Sequence, residues 1–447
     1  MKSIRQAIGS ITLMKPHEQK AALAAFGMVF MLMAAYFVLR PVRDAMASDW
    51  SDTEVSFLWN IQFFLSIGVV ALYGFAVSRV RFHHLVPAIY GTFALTFLLF
   101  YLAAPLFSNP TTLEKGFYLW VTVFSLLNLS AFWSFMSDTF TQDQATRLFP
   151  FISAGASAGA IAGPTIPLLF SNALGLDNLM LIAAVALLLV IPVALYLGRA
   201  RQPRSDSPQP HTSGERDAIG GSWWSGFRDV LRNRYLLGIA VFILLYVFLS
   251  SFIYFQQKNI LADFTRTERT QILGGIDWVV NLLTFVFAFM ITGRMVRNFG
   301  MALTLASVPL LLVLGMGILA FAPAVTMLLG LQIVRRVGNY SVTRPAREML
   351  FTEVSKEERF KAKPVIDVVV YRGGDAMSAS LFALLTDGLG LSLAAVSLVG
   401  AGIAALWASI GMRLGRQYQS RQPGGSPGAA SRKREPINPF IQSGINK

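Results

Sequence analysis

Two adjacent arginines, Arg335 and Arg336, stand inside an apolar stretch long enough to cross a membrane (324–343). If a helix starts near Ala324, they lie roughly 17 Å along it at about 1.5 Å per residue. That is close to the middle of a hydrocarbon core about 30 Å thick. An arginine at that depth costs at least ~2.5–3.5 kcal/mol, so it faces protein or a water-filled cavity rather than lipid. A guanidinium stays charged, and its planar fork fits phosphate and carboxylate. Two of them predict a permeation pathway for an anion.

Other charges fall on the same chemistry. Arg40, Arg43 and Asp44 lie three and four residues apart and share a helix face. They predict a basic element near the outer mouth of the pathway, or else arginines snorkelling at a helix end with Asp44 as local partner. Pro41, between them, predicts a kink. Arg372 and Asp375 reach the depth of the arginine pair, either to meet the anion or to hold two helices in register. Asp277 and Asn281 sit four apart inside the eighth apolar stretch, and a carboxylate there is a functional candidate. Asp277 and Asp375 are thus candidate charge partners or proton carriers. Asn128, Trp133, Asn281 and Tyr371 are candidate cavity-lining residues, with plain packing as the alternative for the aromatics.

The elements that position these residues follow from composition. Apolar residues make up 54% of the 447, charged residues 14%, and mean hydropathy is +0.54. Soluble domains carry roughly 25% charged residues, so the chain is expected to be an all-α polytopic membrane protein. With no cysteine and four scattered histidines, neither a disulfide framework nor a metal site is expected, and no cofactor. Twelve apolar segments are legible, at about 21–43, 55–78, 85–106, 116–138, 148–170, 178–198, 236–257, 271–293, 300–321, 324–343, 365–386 and 390–412. Each approaches the ~20 residues of a spanning helix. The first lacks a small-residue cleavage site and reads as a retained helix.

Net charge is +14, but the excess sits in alternate loops and the tail, which argues for membrane topology rather than nucleic acid. Arg79 and Arg81, the arginines between 199 and 234, Arg294 and Arg297, and the tail fall on one face, while Asp49, Asp52, Glu54 and Asp177 fall on the other. The positive-inside rule then places both termini in the cytoplasm of a bacterial inner membrane. The expected organisation is a segment 1–20, a six-helix half 21–198, a linker 199–235, a second half 236–415, and a disordered tail 416–447. Six plus six helices with a long central loop resemble the major facilitator architecture, whose site lies between the halves. Gly74 and Arg79 fit its loop signature, although Ser78 stands where an aspartate is usual.

Gly155, Gly159 and Gly163, at four-residue spacing, predict close helix packing in the fifth segment, and Pro164 and Pro167 a break in it. Residues 344–363 read as a charged connection with a surface helix. Gly373-Gly374 is no phosphate loop, because the lysine and hydroxyl residue that should follow are missing. With no catalytic constellation, the chain is expected not to be an enzyme.

Three blocks resemble the non-mitochondrial ATP/ADP translocases of plastids and intracellular bacteria, with their broader NTP/NDP antiporter relatives. Tyr36 to Asp44 is similar to the family's Tyr-x-x-Leu-Arg-x-x-Lys-Asp. Phe132 to Asp138 and Ala145 to Pro150 are similar to its Phe-Trp-x-Phe-Ala-Asn and Ala-x-Arg-Phe-Tyr-Pro. Arg336 to Tyr340, Arg347-Glu348-Met349 and Lys361 to Val369 are similar to its Arg-x-x-Lys-Tyr, Lys-Glu-Met and Lys-Gly-Lys-Ala-Ala-Ile-Asp-Val-Val. The resemblance implies a twelve-helix facilitator-like fold and exchange of nucleotides or related phosphorylated anions. It implies phosphate contacts from Arg43, Arg336 and Lys363, and adds Tyr254, Lys258 and Tyr340 to the candidate lining. The chain departs from the pattern where Arg43, Asn339 and Asp375 replace lysines and Tyr254 replaces a glutamate, so the resemblance implies an anion of this class and leaves open whether ATP or ADP is among them.

The expectation is therefore a secondary transporter of a small anionic, phosphorylated or nucleotide-like solute, embedded in the bilayer as a monomer. Arg40, Arg43, Arg335, Arg336, Lys363 and Arg372 would bind the solute. Two alternatives stay open: a proton-coupled exporter of an amphipathic or lipid-like compound, and a membrane sensor or scaffold that transports nothing.

Overall fold

The computed structural model describes residues 15, 17–80, 82–106, 110–200, 225–288, 292–322, 324–354, 362 and 365–421. Its elements are α1 (Gln19–Ala47), α2 (Asp52–Arg79), α3 (Phe82–Ala103), α4 (Thr111–Thr139), α5 (Gln142–Leu174), α6 (Leu176–Ala200), α7 (Ser225–Arg232), α8 (Arg234–Ile260), α9 (Arg266–Ala288), α10 (Thr292–Phe321), α11 (Val325–Gly338), α12 (Arg344–Leu350), α13 (Tyr371–Ala383) and α14 (Leu393–Arg421). Among the described residues, ten helices are long and apolar enough to cross a membrane. Two further rods are interrupted. A π-helical turn, Asn339–Thr343, joins α11 to α12, and π segments Val365–Val370 and Leu384–Gly388 flank α13.

These rods make up the twelve expected, and the differences have local causes. Arg344–Leu350 continues the tenth rod rather than starting a loop. Pro345 has no N–H for the carbonyl of Ser341, and the ladder just before it widens so that the Arg344 N–H reaches Asn339. The prolines predicted to kink or break helices do not end them. α1 runs through Pro41 to Ala47, and α5 runs through Pro164 and Pro167 to Leu174, as prolines do where packed neighbours satisfy the freed carbonyls. α14 reaches Arg421, so the first residues assigned to the tail are helical.

Each half closes on a glycine seam. A Cβ on Gly159 would stand 2.3 Å from the carbonyl oxygen of Phe30, and one on Gly155 or Gly163 would stand 2.6 or 2.7 Å from those of Phe26 or Ala34. The backbones of α1 and α5 therefore touch, as the spacing predicted. In the second half a Cβ on Gly415 would lie 2.2 Å from Ala302 Cα, which ties α14 to α10. Two large apolar clusters fill the halves, one around α1, α3, α4 and α6 and one around α8, α10 and α14. The halves meet where α2 packs on α13 and α9 packs on α1 and α5.

At one end polar contacts lace the halves together. Lys258 Nζ sits 2.7 Å from an Asp52 oxygen, and Asn259 and Thr386 donate to that carboxylate at 2.9 and 2.8 Å. Thr53 donates through its N–H and hydroxyl to Asp387 at 2.7 and 2.8 Å. Arg266 and Arg269 each reach Asp49 at 2.5 Å, and Arg266 also grips Glu114. We call this the closed end. The start of α1 and the end of α14 lie at the other, open end. There Arg147 of α5 donates to Glu18, just ahead of α1, at 2.9 and 3.0 Å. Those hydrogen bonds hold the Glu18 carboxyl down at about 2.

Candidate functional site

A cavity of about 1410 Å³ lies between the halves. Its lining follows each helix from mid-depth towards the open end: Trp59 to Ala71 on α2, Tyr118 to Ser130 on α4, and Gln332 to Glu348 along α11 and α12. α1, α8, α9 and α13 complete the wall. Among the described residues, seven arginines line it (Arg40, Arg43, Arg335, Arg336, Arg344, Arg347 and Arg372) against four carboxylates (Asp44, Asp277, Glu348 and Asp375), an excess of three positive charges.

The adjacent arginines of α11 have different surroundings although both are buried. Successive helical residues point about 100° apart, so each guanidinium meets its own neighbours. Arg336 pairs with Asp277 of α9. Arg335 finds neutral acceptors: Gln332 Oε1 accepts from its Nε and Nη2 at 2.8 and 2.6 Å, and the Ser250 hydroxyl accepts from Nη1. Gln332 in turn donates to Gln257 at 2.5 Å. No carboxylate pairs with Arg335 among the described residues. It is a fixed cation on a cavity wall, positioned by amides that carry no charge.

Asp277 also meets Arg40 of α1, 3.4 Å away, and Arg40 lies 3.6 Å from Asp44. Arg43 donates to Asp44 at 2.9 and 2.6 Å and to Thr122 at 3.3 Å, with its guanidinium over the Tyr118 ring. Charge thus alternates from Arg336 through Asp277, Arg40 and Asp44 to Arg43, and the line crosses from one half to the other. On α13, Arg372 and Asp375 stand 3.4 Å apart.

The cavity brings together Arg40, Arg43, Asp44, Tyr254, Asp277, Arg335, Arg336, Tyr340, Tyr371, Arg372 and Asp375. Arg40 and Arg43 belong to its wall rather than to an outer mouth, because α1 continues past them to Ala47 and the closed end packs above. Four expected lining residues lie elsewhere. Asn128 is buried between helices, donating to the Leu32 carbonyl at 3.3 Å and accepting from Tyr90 at its own carbonyl at 2.7 Å. Trp133 packs against Phe132 and Phe149. Asn281 donates to the Ala160 carbonyl at 2.7 Å, fastening α9 to α5. Lys258 belongs to the closed end. Lys363 lies outside the described residues.

Sequence reasoning missed Trp59, Tyr118, Ser250, Gln257 and Gln332. The glutamines carried a signal, as polar side chains inside apolar stretches. Tyr118, Thr122 and Ser125 also share one face of α4, ahead of Asn128 and Trp133 in the chain. At the cavity roof, Trp59 donates to the Tyr118 hydroxyl at 2.7 Å, and Tyr118 and Tyr254 share a hydrogen bond of 3.1 Å across the halves.

Comparison with known proteins agrees with this architecture. The Major Facilitator Superfamily matches residues 25–360 of the chain, and the chain belongs to that family. ADP,ATP carrier protein 2 of Chlamydia pneumoniae is 24% identical over 226 residues, which span 44% of this chain and 41% of that protein. The chain thus aligns with less than half the length of that curated relative. Among solved structures, the nucleoside transporter NupG superposes with a TM-score of 0.64 at 14% identity, covering 90% of this chain and 99% of that one. A bacterial homolog of the human lysosomal transporter Spinster, solved inward-facing, superposes at 0.59 with 14% identity, covering 93% of this chain and all of its own. At these identities the likeness is one of fold.

Proposed function

From this membership of the Major Facilitator Superfamily we infer a secondary transporter, and we propose that its cargo is a phosphorylated, nucleotide-like organic anion moved by alternating access. The observation that carries the reading is Arg335, a buried cation with neutral partners on a cavity whose described lining carries three excess positive charges. Closing such a cavity strands the charge of Arg335, and a buried unpaired ion costs several kcal/mol. A multiply charged anion removes the cost. Movement of the loaded carrier is then favoured over movement without cargo, which makes exchange the expected mode. Tyr36, Trp59, Tyr118 and Tyr254 supply flat apolar faces on the same wall, suited to a base or sugar ring. The name of one partial sequence relative, an ADP,ATP carrier, supports cargo of this class.

The basic stretches at the open end and the acids of the closed end favour an open end facing the cytoplasm of a bacterial inner membrane. Residues 199–235 then link two halves, 21–198 and 236–415, between the cytoplasmic segments 1–20 and 416–447. The test is counterflow in proteoliposomes. Labelled adenosine or uridine diphosphate should accumulate only in vesicles preloaded with an unlabelled phosphorylated anion. Uptake driven by a pH gradient alone, or no uptake of nucleotides, sugar phosphates or inorganic phosphate, would overturn the reading.

A further inference from the structure

We propose that Asp277 is an internal competitor for the cargo: its carboxylate holds the guanidiniums that a bound anion must take, and its displacement cuts an ion pair that joins the halves inside the cavity. The inference rests on the anion reading above and adds a role for a residue of its own. Asp277 is 3% exposed and reaches Arg336 in its own half and Arg40 of α1 in the other, at 3.4 Å. Its other neighbours do not share the task. Asp44 is occupied by Arg43 at 2.6 Å and stands off from Arg40 at 3.6 Å. Asp375 pairs with Arg372 on its own helix. The cross-half ion pairs of Lys258, Arg266 and Arg269 with Asp49, Asp52 and Glu114 sit at the closed end instead.

A phosphate and a carboxylate offer an arginine fork the same acceptor geometry. A multiply charged phosphate entering beside Arg335 therefore competes with Asp277 for Arg336 and Arg40. If it wins, Asp277 loses both partners and the two halves lose a tie at mid-depth, while the phosphate takes over the positive charge. Arrival of cargo is thus converted into freedom of one half to move against the other. The same competition weakens binding, because part of the binding energy goes into displacing the carboxylate, and so speeds release on the far side. A packing role alone has no such consequence.

The experiment uses the full chain with Asp277→Asn, and Asp277→Glu as the charge-preserving variant. Binding of adenosine diphosphate and of inorganic pyrophosphate is read by thermal shift, and exchange and one-way efflux are read in proteoliposomes. Asp277→Asn should bind both probes about tenfold more tightly, in the range of ordinary coupling between sites. It should show lower KM and lower kcat in exchange, and leak preloaded nucleotide without external cargo. Asp277→Glu should restore wild-type affinity and coupling. Unchanged or weaker binding by a folded Asp277→Asn protein, with no leak, overturns the inference while leaving anion transport intact. A wild-type protein that neither binds nor exchanges these anions fails the transport reading itself, and the inference with it.

Discussion

The closed end and the cavity are both crowded with charge between the same two halves, yet they are balanced differently. At the closed end Lys258, Arg266 and Arg269 are matched at short range by Asp49, Asp52 and Glu114. In the cavity, among the described residues, seven arginines face four carboxylates. Matched pairs spanning two bodies hold them together and leave nothing for a ligand. An unmatched set attracts a ligand and resists closure without one. Charge count alone does not separate a latch from a binding site; the local balance does.

The largest expected effect breaks the contrast within α11. Arg335→Gln should cut exchange about 100-fold, the scale of two or more charge-assisted hydrogen bonds, while leaving thermal stability equal or higher, since it removes a buried cation with no carboxylate partner among the described residues. Arg336→Gln should instead lower unfolding free energy by on the order of 3 kcal/mol, because it strips one partner from buried Asp277. If both variants lose the same stability, or Arg335→Gln transports at wild-type rate, the two arginines do not differ as described.

A smaller effect sharpens the latch. The chain has no cysteine, so Ser125→Cys, on the cavity wall, reports entry of a membrane-impermeant thiol reagent. Lys258→Met should raise its labelling from the closed-end side about fivefold, a modest shift between two conformations. No change would show that the remaining contacts hold that end without Lys258.

The smallest effect lies at the open end. A carboxyl held at about 2 adds stability fully above its ordinary 4.5, and that contribution fades as pH falls through about 2. Glu18→Gln should therefore melt a few degrees below wild type at pH 7, with the gap narrowing below about pH 4.5 and closing near pH 2. A gap that is constant across that range would remove the Arg147 interaction as its cause.

Much of the molecule was legible from residues in order. Spanning length and apolarity set the rods, because a membrane leaves a chain few ways to satisfy its backbone. The four-residue glycine spacing of α5 announced a backbone contact, because one helix face repeats nearly every fourth residue. The depth of Arg335 and Arg336 marked the cavity, because lipid penalises a buried cation wherever it occurs. Facing was less legible. Trp133 and Asn128 looked like lining and turned out to be packing, while Gln332 and Ser250 looked incidental and hold Arg335. What the order of residues could not carry was partnership. Asp277 lies 59 residues before Arg336 and more than 200 after Arg40, and only the meeting of α1, α9 and α11 decides that one carboxylate serves both. Ion pairing depends on distances of a few ångströms between helices remote in the chain, and those distances exist only once the halves have packed.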